Sequence, residues 1–352
     1  MSRASVWFMA FLAAMLVIAP SVQAHVPRSV GENDRLGNAA IIEDPTKSWA
    51  VYDDIHHDGR AKYYRLDMRS GQRLVAGLFL PRNDGFLPGM AVMGPGLGND
   101  GILPGFVEVP PGGGYVAVAG AIEGREYEPF TPSSYYQICS LDIAVNQSGA
   151  FYIAVFEANN SGDFGLAIGY VESFTFVEWL TIPFTVINVH LWEGQSPLLI
   201  FSPLAITMAA LPAVAHVARR RGAAALSTVG SWLVAVAASL FVGTAMMAAL
   251  QMAMALAVSS ASSAAGGLLT AVFIALPLAA AILMMRLAIS GGWTLGDRMK
   301  LAVLAILGFV FWAGLLAGPA LAMAAAFLPS RMLGRNIRRP GKRDEPAATQ
   351  AS

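Results

Sequence analysis

One cysteine, Cys139, stands in 352 residues, so the chain has no intramolecular disulfide. An exported domain built this way must be stabilised by its apolar core. Charge is also scarce. Asp, Glu, Lys and Arg make up 13% of the chain while hydrophobic residues make up 55%. Soluble domains carry about 25% charged residues, so this composition belongs to the membrane class. No Gly-x-Ser-x-Gly elbow is present, and the glycine-rich run Gly94-Pro95-Gly96-Leu97-Gly98 does not open a helix. The first absence removes the usual nucleophile context and the second a phosphate loop, so the sequence points away from catalysis. The apolar stretches of the second half contain no Asp or Glu. A carboxylate at mid-membrane costs about 2.5–3.5 kcal/mol on insertion scales and is retained for function. Its absence argues against a proton- or sodium-coupled pump.

What charge there is divides unevenly. Residues 25–195 hold 20 Asp or Glu against 10 Lys or Arg, and residues 196–352 hold 3 against 12. Two environments are implied rather than one mixed globule. The basic residues sit at the edges of apolar runs, which is not the footprint of a nucleic-acid binder.

Residues 1–24 read as a signal peptide, with Arg3 ahead of the apolar run Val6 to Ile18 and Val22-Gln23-Ala24 as the cleavage site. Residues 25–172 then alternate with period two. Tyr64, Leu66 and Met68 share one face; Leu74, Ala76, Leu78 and Leu80 share another. Phe151, Ile153 and Val155, then Phe164, Leu166, Ile168 and Tyr170, repeat the pattern. Val116 and Val118 mark a shorter strand and Tyr135 to Val145 a longer one, with Cys139 expected as a small buried hydrophobe. Turn signals at Arg69-Ser70-Gly71, Asn83-Asp84-Gly85 and Gln147-Ser148-Gly149 separate these runs. Short alternating strands with Gly-rich turns predict an all-β antiparallel sandwich outside the cytoplasm.

The segment Ala61-Lys62-Tyr63-Tyr64-Arg65-Leu66-Asp67-Met68-Arg69-Ser70-Gly71-Gln72-Arg73-Leu74 resembles the bacterial pre-peptidase C-terminal-like domain. Asn33-Asp34-Arg35-Leu36 is similar to its opening. Ser148-Gly149-Ala150-Phe151-Tyr152-Ile153-Ala154-Val155, with Gly162-Asp163-Phe164-Gly165-Leu166, is similar to its close. The resemblance covers roughly residues 32–170 and is interrupted by a Gly/Pro-rich insertion between Arg82 and Tyr135. It implies a jelly-roll-like accessory module, usually non-catalytic, of the kind attached to secreted enzymes or surface proteins. Together with spans free of acidic residues, it leads to the expectation of a sandwich that engages a ligand, a glycan or a partner protein outside the cell.

Residues 173–195 carry Phe174, Phe176, Trp179, Phe184 and Trp192 and predict an interfacial segment, because such rings favour the headgroup zone. Four apolar stretches follow, at 197–217, 225–249, 267–289 and 301–328. Each can cross about 30 Å of hydrocarbon, which predicts an all-α transmembrane bundle in the cell membrane. With residues 25–195 outside, Arg219-Arg220-Arg221 and the group Arg286, Arg298 and Lys300 fall inside, as the positive-inside rule requires. The basic tail, 329–352, would then lie outside if four spans alternate, which conflicts with that rule.

Several side chains invite a chemical reading. Cleavage after Ala24 would make His25 the mature N-terminus, able to chelate copper through its amine and imidazole. His56 or His57 would supply the second imidazole; the bland alternative is a polar loop. Asp53, Asp54 and Asp58, or Asn159, Asn160 and Asp163, offer hard oxygens for calcium without the spacing of a known loop. Gln251, His216 and the methionines Met246, Met247, Met252 and Met254 would be the polar and soft groups of a transport path, the methionines otherwise serving as flexible filling. Gly314, Gly318 and Ala322 form a small-residue stripe at intervals of four, suited to close helix packing within the bundle or in a homo-oligomer.

Overall fold

The computed structural model describes residues 25–56, 61–220, 226–262, 264–290 and 293–329. The expected signal peptide and the basic tail beyond 329 lie outside the described residues. The chain divides into two compact units, Met1–Ser202 with Met246–Ala275, and Pro203–Ala245 with Leu276–Ser352.

The first unit contains two six-stranded sheets. One has the strands β1 (Val26–Arg28), β3 (Trp49–Ile55), β12 (Gly162–Ile168), β5 (Arg73–Leu80), β10 (Ser133–Ala144) and β9 (Gly124–Glu128), in that order. The other has β2 (Ala40–Ile42), β4 (Ala61–Met68), β11 (Gly149–Phe156), β6 (Gly89–Gly94), β8 (Gly114–Val118) and β7 (Asn99–Asp100). The long pairings are antiparallel, such as β11 with β4 and β10 with β5. The sandwich is not wholly antiparallel, because the short strands β1, β2 and β7 pair parallel with β3, β4 and β8. Each lies at or next to a sheet edge, reached by a connection across the sheet rather than by a hairpin.

Period-two alternation places one face of each strand inside. Tyr64, Leu66 and Met68 of one sheet meet Leu74, Ala76, Leu78 and Leu80 of the other in a single buried cluster. Phe151, Ile153, Val155, Phe164, Leu166 and Ile168 complete it. Tyr170 instead stands exposed beyond the end of β12. Cys139 is half-buried against the same core, and burial pushes its thiol up to about 12, which keeps it protonated. A bulge between Gln137 and Cys139 lets β10 change which residues face inward along its length.

Two central strands escape the alternation rule. All six residues of β6 are buried, so no face is polar. In β3 the inward position between Val51 and Ile55 is Asp53. That carboxylate accepts from the Tyr64 hydroxyl at 2.6 Å and from Asn33 Nδ2 at 3.1 Å, with Lys62 Nζ at 3.8 Å. The Gly/Pro-rich insertion between Arg82 and Tyr135 supplies β6, β7, β8 and β9, and so builds one side of both sheets.

The segment 173–195 is a helix, α1 (Phe176–Trp192). Thr175 caps it, accepting from Glu178 N, while Glu178 accepts from Thr175 N at 2.7 Å. Lys47 ties it to the turn before β3 through an ion pair with Glu178 at 2.6 Å. Val177, Phe184 and Leu191, seven residues apart, form an exposed apolar stripe, while Ile182, Val189 and His190 are buried.

Three helices are long and apolar enough to cross a membrane: α2 (Pro197–Arg220), α3 (Val229–Val258) and α4 (Ala264–Ser290). The fourth expected crossing, 301–328, is not one continuous helix. It is a pair, α5 (Leu295–Val310) and α6 (Ala317–Phe327), bent by 119°. Trp312, Gly314, Leu315 and Leu316 all have φ between 49° and 67°, and this left-handed run reverses the chain. Gly318-Pro319 falls in the first turn of α6, where proline's missing N–H removes no helical hydrogen bond. Within the second unit the two ends of this hairpin meet: Arg298 Nε donates to the Ala326 carbonyl at 2.7 Å, and its Nη2 to that of Leu328.

Candidate functional site

The outward face of the β5 sheet is aromatic where α1 covers it. Phe79 of β5, Tyr52 of β3 and Tyr135 of β10 project outward, and Val189 and Trp192 of α1 pack on them. The Trp192 ring meets Tyr52 at 4.9 Å, Phe79 at 6.3 Å and Tyr135 at 6.1 Å. Along the same face the floor falls away, because Ala50, Gly77, Ser140 and Ala167 are small. The result is a cavity of about 480 Å³. Its aromatic residues are Tyr52, Phe79, Tyr127, Phe130, Tyr135 and Tyr170; its acids are Glu126 and Glu128. Neither Lys nor Arg lines it.

Glu128 is held by its own loop. One oxygen accepts from Phe130 N at 3.0 Å, the other from Thr131 N at 2.7 Å and from the Thr131 hydroxyl. Burial nevertheless pushes its carboxyl above the usual range. Tyr52 and Tyr135 are raised chiefly by burial, and the charges of Glu128 and Glu193 add to that. His25 also lines the cavity; its Nδ1 lies 2.5 Å from the Ser48 hydroxyl, and burial lowers it to about 4. It is therefore neutral at physiological pH.

A second cavity in the same unit, of about 360 Å³, is lined by Arg82, Arg125, Ser134, Glu193, Gln195 and Gln251 among others. Gln195 and Gln251 exchange amide hydrogen bonds at 2.8 and 2.7 Å. Glu193 accepts from Gln195 at 2.9 Å and lies 3.0 Å from His190 Nδ1, while its buried Oε1 has no hydrogen-bond partner. Nearby polar contacts join the β9–β10 edge to the α3–α4 connection and to the early part of α4. Arg125 N donates to Ser260 Oγ at 2.9 Å, Ser134 and Ser259 hydroxyls lie 2.8 Å apart, and Tyr127 and Thr270 hydroxyls 2.7 Å apart.

The structure does not bring His25 and His56, two of the three expected copper ligands, together. His25 lies beside Ser48 at the start of β3, and His56 follows its end, bonded to Asp54 at 2.8 Å. Seven residues of strand at roughly 3.3 Å each put about 23 Å between them. His57 and Asp58 lie outside the described residues. No group of three His, Cys, Asp or Glu side chains able to hold a metal ion occurs among the described residues. Of the calcium candidates, Asp53 is committed to Tyr64 and Asn33, Asn160 donates to the Gly85 carbonyl, and Asp163 pairs with Arg82. Met246 is exposed and Met247 buried, so these neighbours do not share one lining.

The small-residue stripe is not one helix face, since Gly314 stands in the reversal ahead of α6. Its glycines serve Phe241 of α3. A Cβ at Gly318 would lie 2.8 Å from the Phe241 ring, one at Gly314 3.3 Å, and one at Gly308 2.2 Å. Ala322 is fully buried in the same cluster.

The aromatic groove is the part that sequence reasoning missed. Its residues come from five strands and the segments beside them, and the outward side of an alternating strand reads along the chain as a solvent face. No protein-family profile matches the chain, and no curated protein matches it.

Proposed function

We propose that this is a multi-pass membrane protein presenting its β-sandwich outside the cytoplasm as a non-catalytic binding module, with the aromatic groove as its site. The single observation that carries the reading is that groove: about 480 Å³ of space on the sheet face beside α1. Its size lies in the range of small-molecule sites, roughly 300–1,000 Å³. The similarity to pre-peptidase C-terminal-like modules accords with binding rather than turnover. Copper chelation through His25 and His56 has no support in their placement at opposite ends of β3.

The topology follows from connectivity and charge. α2 starts a few residues after α1, which follows the β-sandwich, and ends at Arg219 and Arg220. α3 returns, and α4 crosses again toward Arg286. The α5–α6 hairpin then enters and leaves on one side, so the basic tail stays inside. The conflict between tail charge and strict alternation disappears, because the last apolar stretch does not cross. Its non-helical backbone is tolerated at depth because protein surrounds it, with Thr244 Oγ1 accepting from Gly314 N at 2.8 Å.

The reading is tested by thermal-shift titration of the full-length protein in detergent with a fixed panel of neutral aromatic, ammonium and sugar compounds. At least one member raises the melting temperature of wild type but not of Gly77→Leu, which fills the floor of the groove. No shift from any member would sink it.

A further inference from the structure

The groove carries a bias of charge and surface that specifies its occupant, given that it is a binding site at all. The geometry points to a site for a weakly hydrated organic cation, an alkylated ammonium group such as choline or the headgroup of phosphatidylcholine.

Three features argue for this class. First, two acids line the cavity and no Lys or Arg does, while His25, the one basic ring, is neutral. Cleavage after Ala24 would add one α-ammonium at His25, which two carboxylates still outnumber, so an anion is disfavoured. Second, Glu128 is an enclosed carboxylate whose hydrogen bonds come from its own loop. Those bonds favour its charged form while enclosure opposes it, and the carboxyl is raised as a result. A cation in the groove offsets that enclosure directly. Third, six aromatic residues line the walls. Aromatic faces attract cations electrostatically, most effectively when the cation gives up little hydration. A cation already sits on one of these rings: the Arg73 guanidinium lies 5.5 Å from the Tyr170 ring centre.

An inorganic cation fits less well. The described residues contain no group of three metal-ligating side chains, and the cavity is far larger than a bare ion requires. A methylated ammonium fills space between rings where a metal would lack donors. The exposed stripe Val177, Phe184 and Leu191 on the adjoining helix α1 suits lipid contact, which brings phosphatidylcholine headgroups within reach of the groove.

The test is isothermal titration of the full-length protein with choline and with its neutral isostere 3,3-dimethyl-1-butanol. Choline is expected to bind at least tenfold more tightly. Glu128→Gln is expected to lose tenfold or more. Gly77→Leu abolishes binding; a Cβ there meets only the Ala167 Cβ at 4.0 Å, so the backbone has no reason to shift. Repeating the titration in phosphatidylcholine and in phosphatidylglycerol nanodiscs separates the sources. Weaker choline binding in the former assigns the site to the lipid headgroup, and equal binding assigns it to the free ammonium compound. Equal affinity for choline and the isostere would overturn the charge argument while leaving the groove as a binding site. Absence of binding by both compounds in folded wild type would overturn the cation inference outright, and the neutral panel members then decide the fate of the groove.

Discussion

Arg298, in the first turn of α5, donates from Nε to the carbonyl of Ala326 at the end of α6, 2.7 Å away and 28 residues later. The same guanidinium reaches the Leu328 carbonyl. One side chain thus satisfies the terminal carbonyls of the last helix and closes the hairpin against its own start. Helix ends leave carbonyls without intrahelical partners, and a buried carbonyl left unpaired costs about 1–3 kcal/mol.

Arg298→Ala is therefore expected to lower stability by about 1–3 kcal/mol, measured by thermal unfolding in detergent. The associated topology is checked by cysteine labelling on a Cys139→Ser background. A cysteine at Ala347 should resist an impermeant maleimide in intact cells, while one at Gly71 should react. Labelling at both positions would show that the last stretch crosses.

Gly308→Ala should be strongly destabilising, because its Cβ would stand 2.2 Å from Cζ of Phe241. Overpacking of this kind costs typically 1–3 kcal/mol. Pairing it with Phe241→Leu should recover part of the loss, which a double-mutant cycle of melting temperatures would reveal. Additive losses would show that the contact is not the cause.

Asp53→Ala strands the Tyr64 hydroxyl, Asn33 and Lys62 around a vacated position within the sandwich. Breaking a buried charged pair from one side costs about 3–5 kcal/mol. Tyr64→Phe, which removes a single donor, should cost less, about 1–3 kcal/mol. Chemical denaturation of the two variants gives the order.

His25 makes stability depend on pH in a defined direction. Above pH 6.5 the ring is neutral in both folded and unfolded chains and contributes no difference. As pH falls from 6.5 toward 4 the unfolded chain takes up a proton that the folded one excludes, so stability declines over that window and levels off below it. His25→Asn should lose this component, seen as a smaller drop in melting temperature between pH 7 and pH 4.5. An unchanged drop would place His25 in solvent.

Much of this fold is legible along the chain. Alternation in β4, β5, β11 and β12 names their core residues, and the turn glycines at 71 and 85 adopt the positive φ that their positions require. Two non-edge strands that alternation does not reveal differ in cause: β6 is buried on both faces, and β3 turns a carboxylate inward. An inward Asp is intelligible only once Tyr64 and Asn33 are beside it.

By itself, then, the sequence determined the membrane class, the β-then-α order, the inward faces of the long strands and the apolar stretches. These depend on local periodicity and run length, which burial of one face or immersion in lipid imposes on each segment separately. Tertiary structure alone decided three things. It separated His25 from His56, because pairing places residues by their position along a shared strand. It reversed the last apolar stretch at Trp312 to Leu316, because left-handed backbone at Leu and Trp costs about 1–3 kcal/mol per residue and persists only where packing around Phe241 repays it. And it gathered outward residues of separate strands around one groove, because sheet pairing sets Tyr52, Phe79 and Tyr135 side by side while the β9–β10 segment Glu126 to Thr131 walls the small-residue floor.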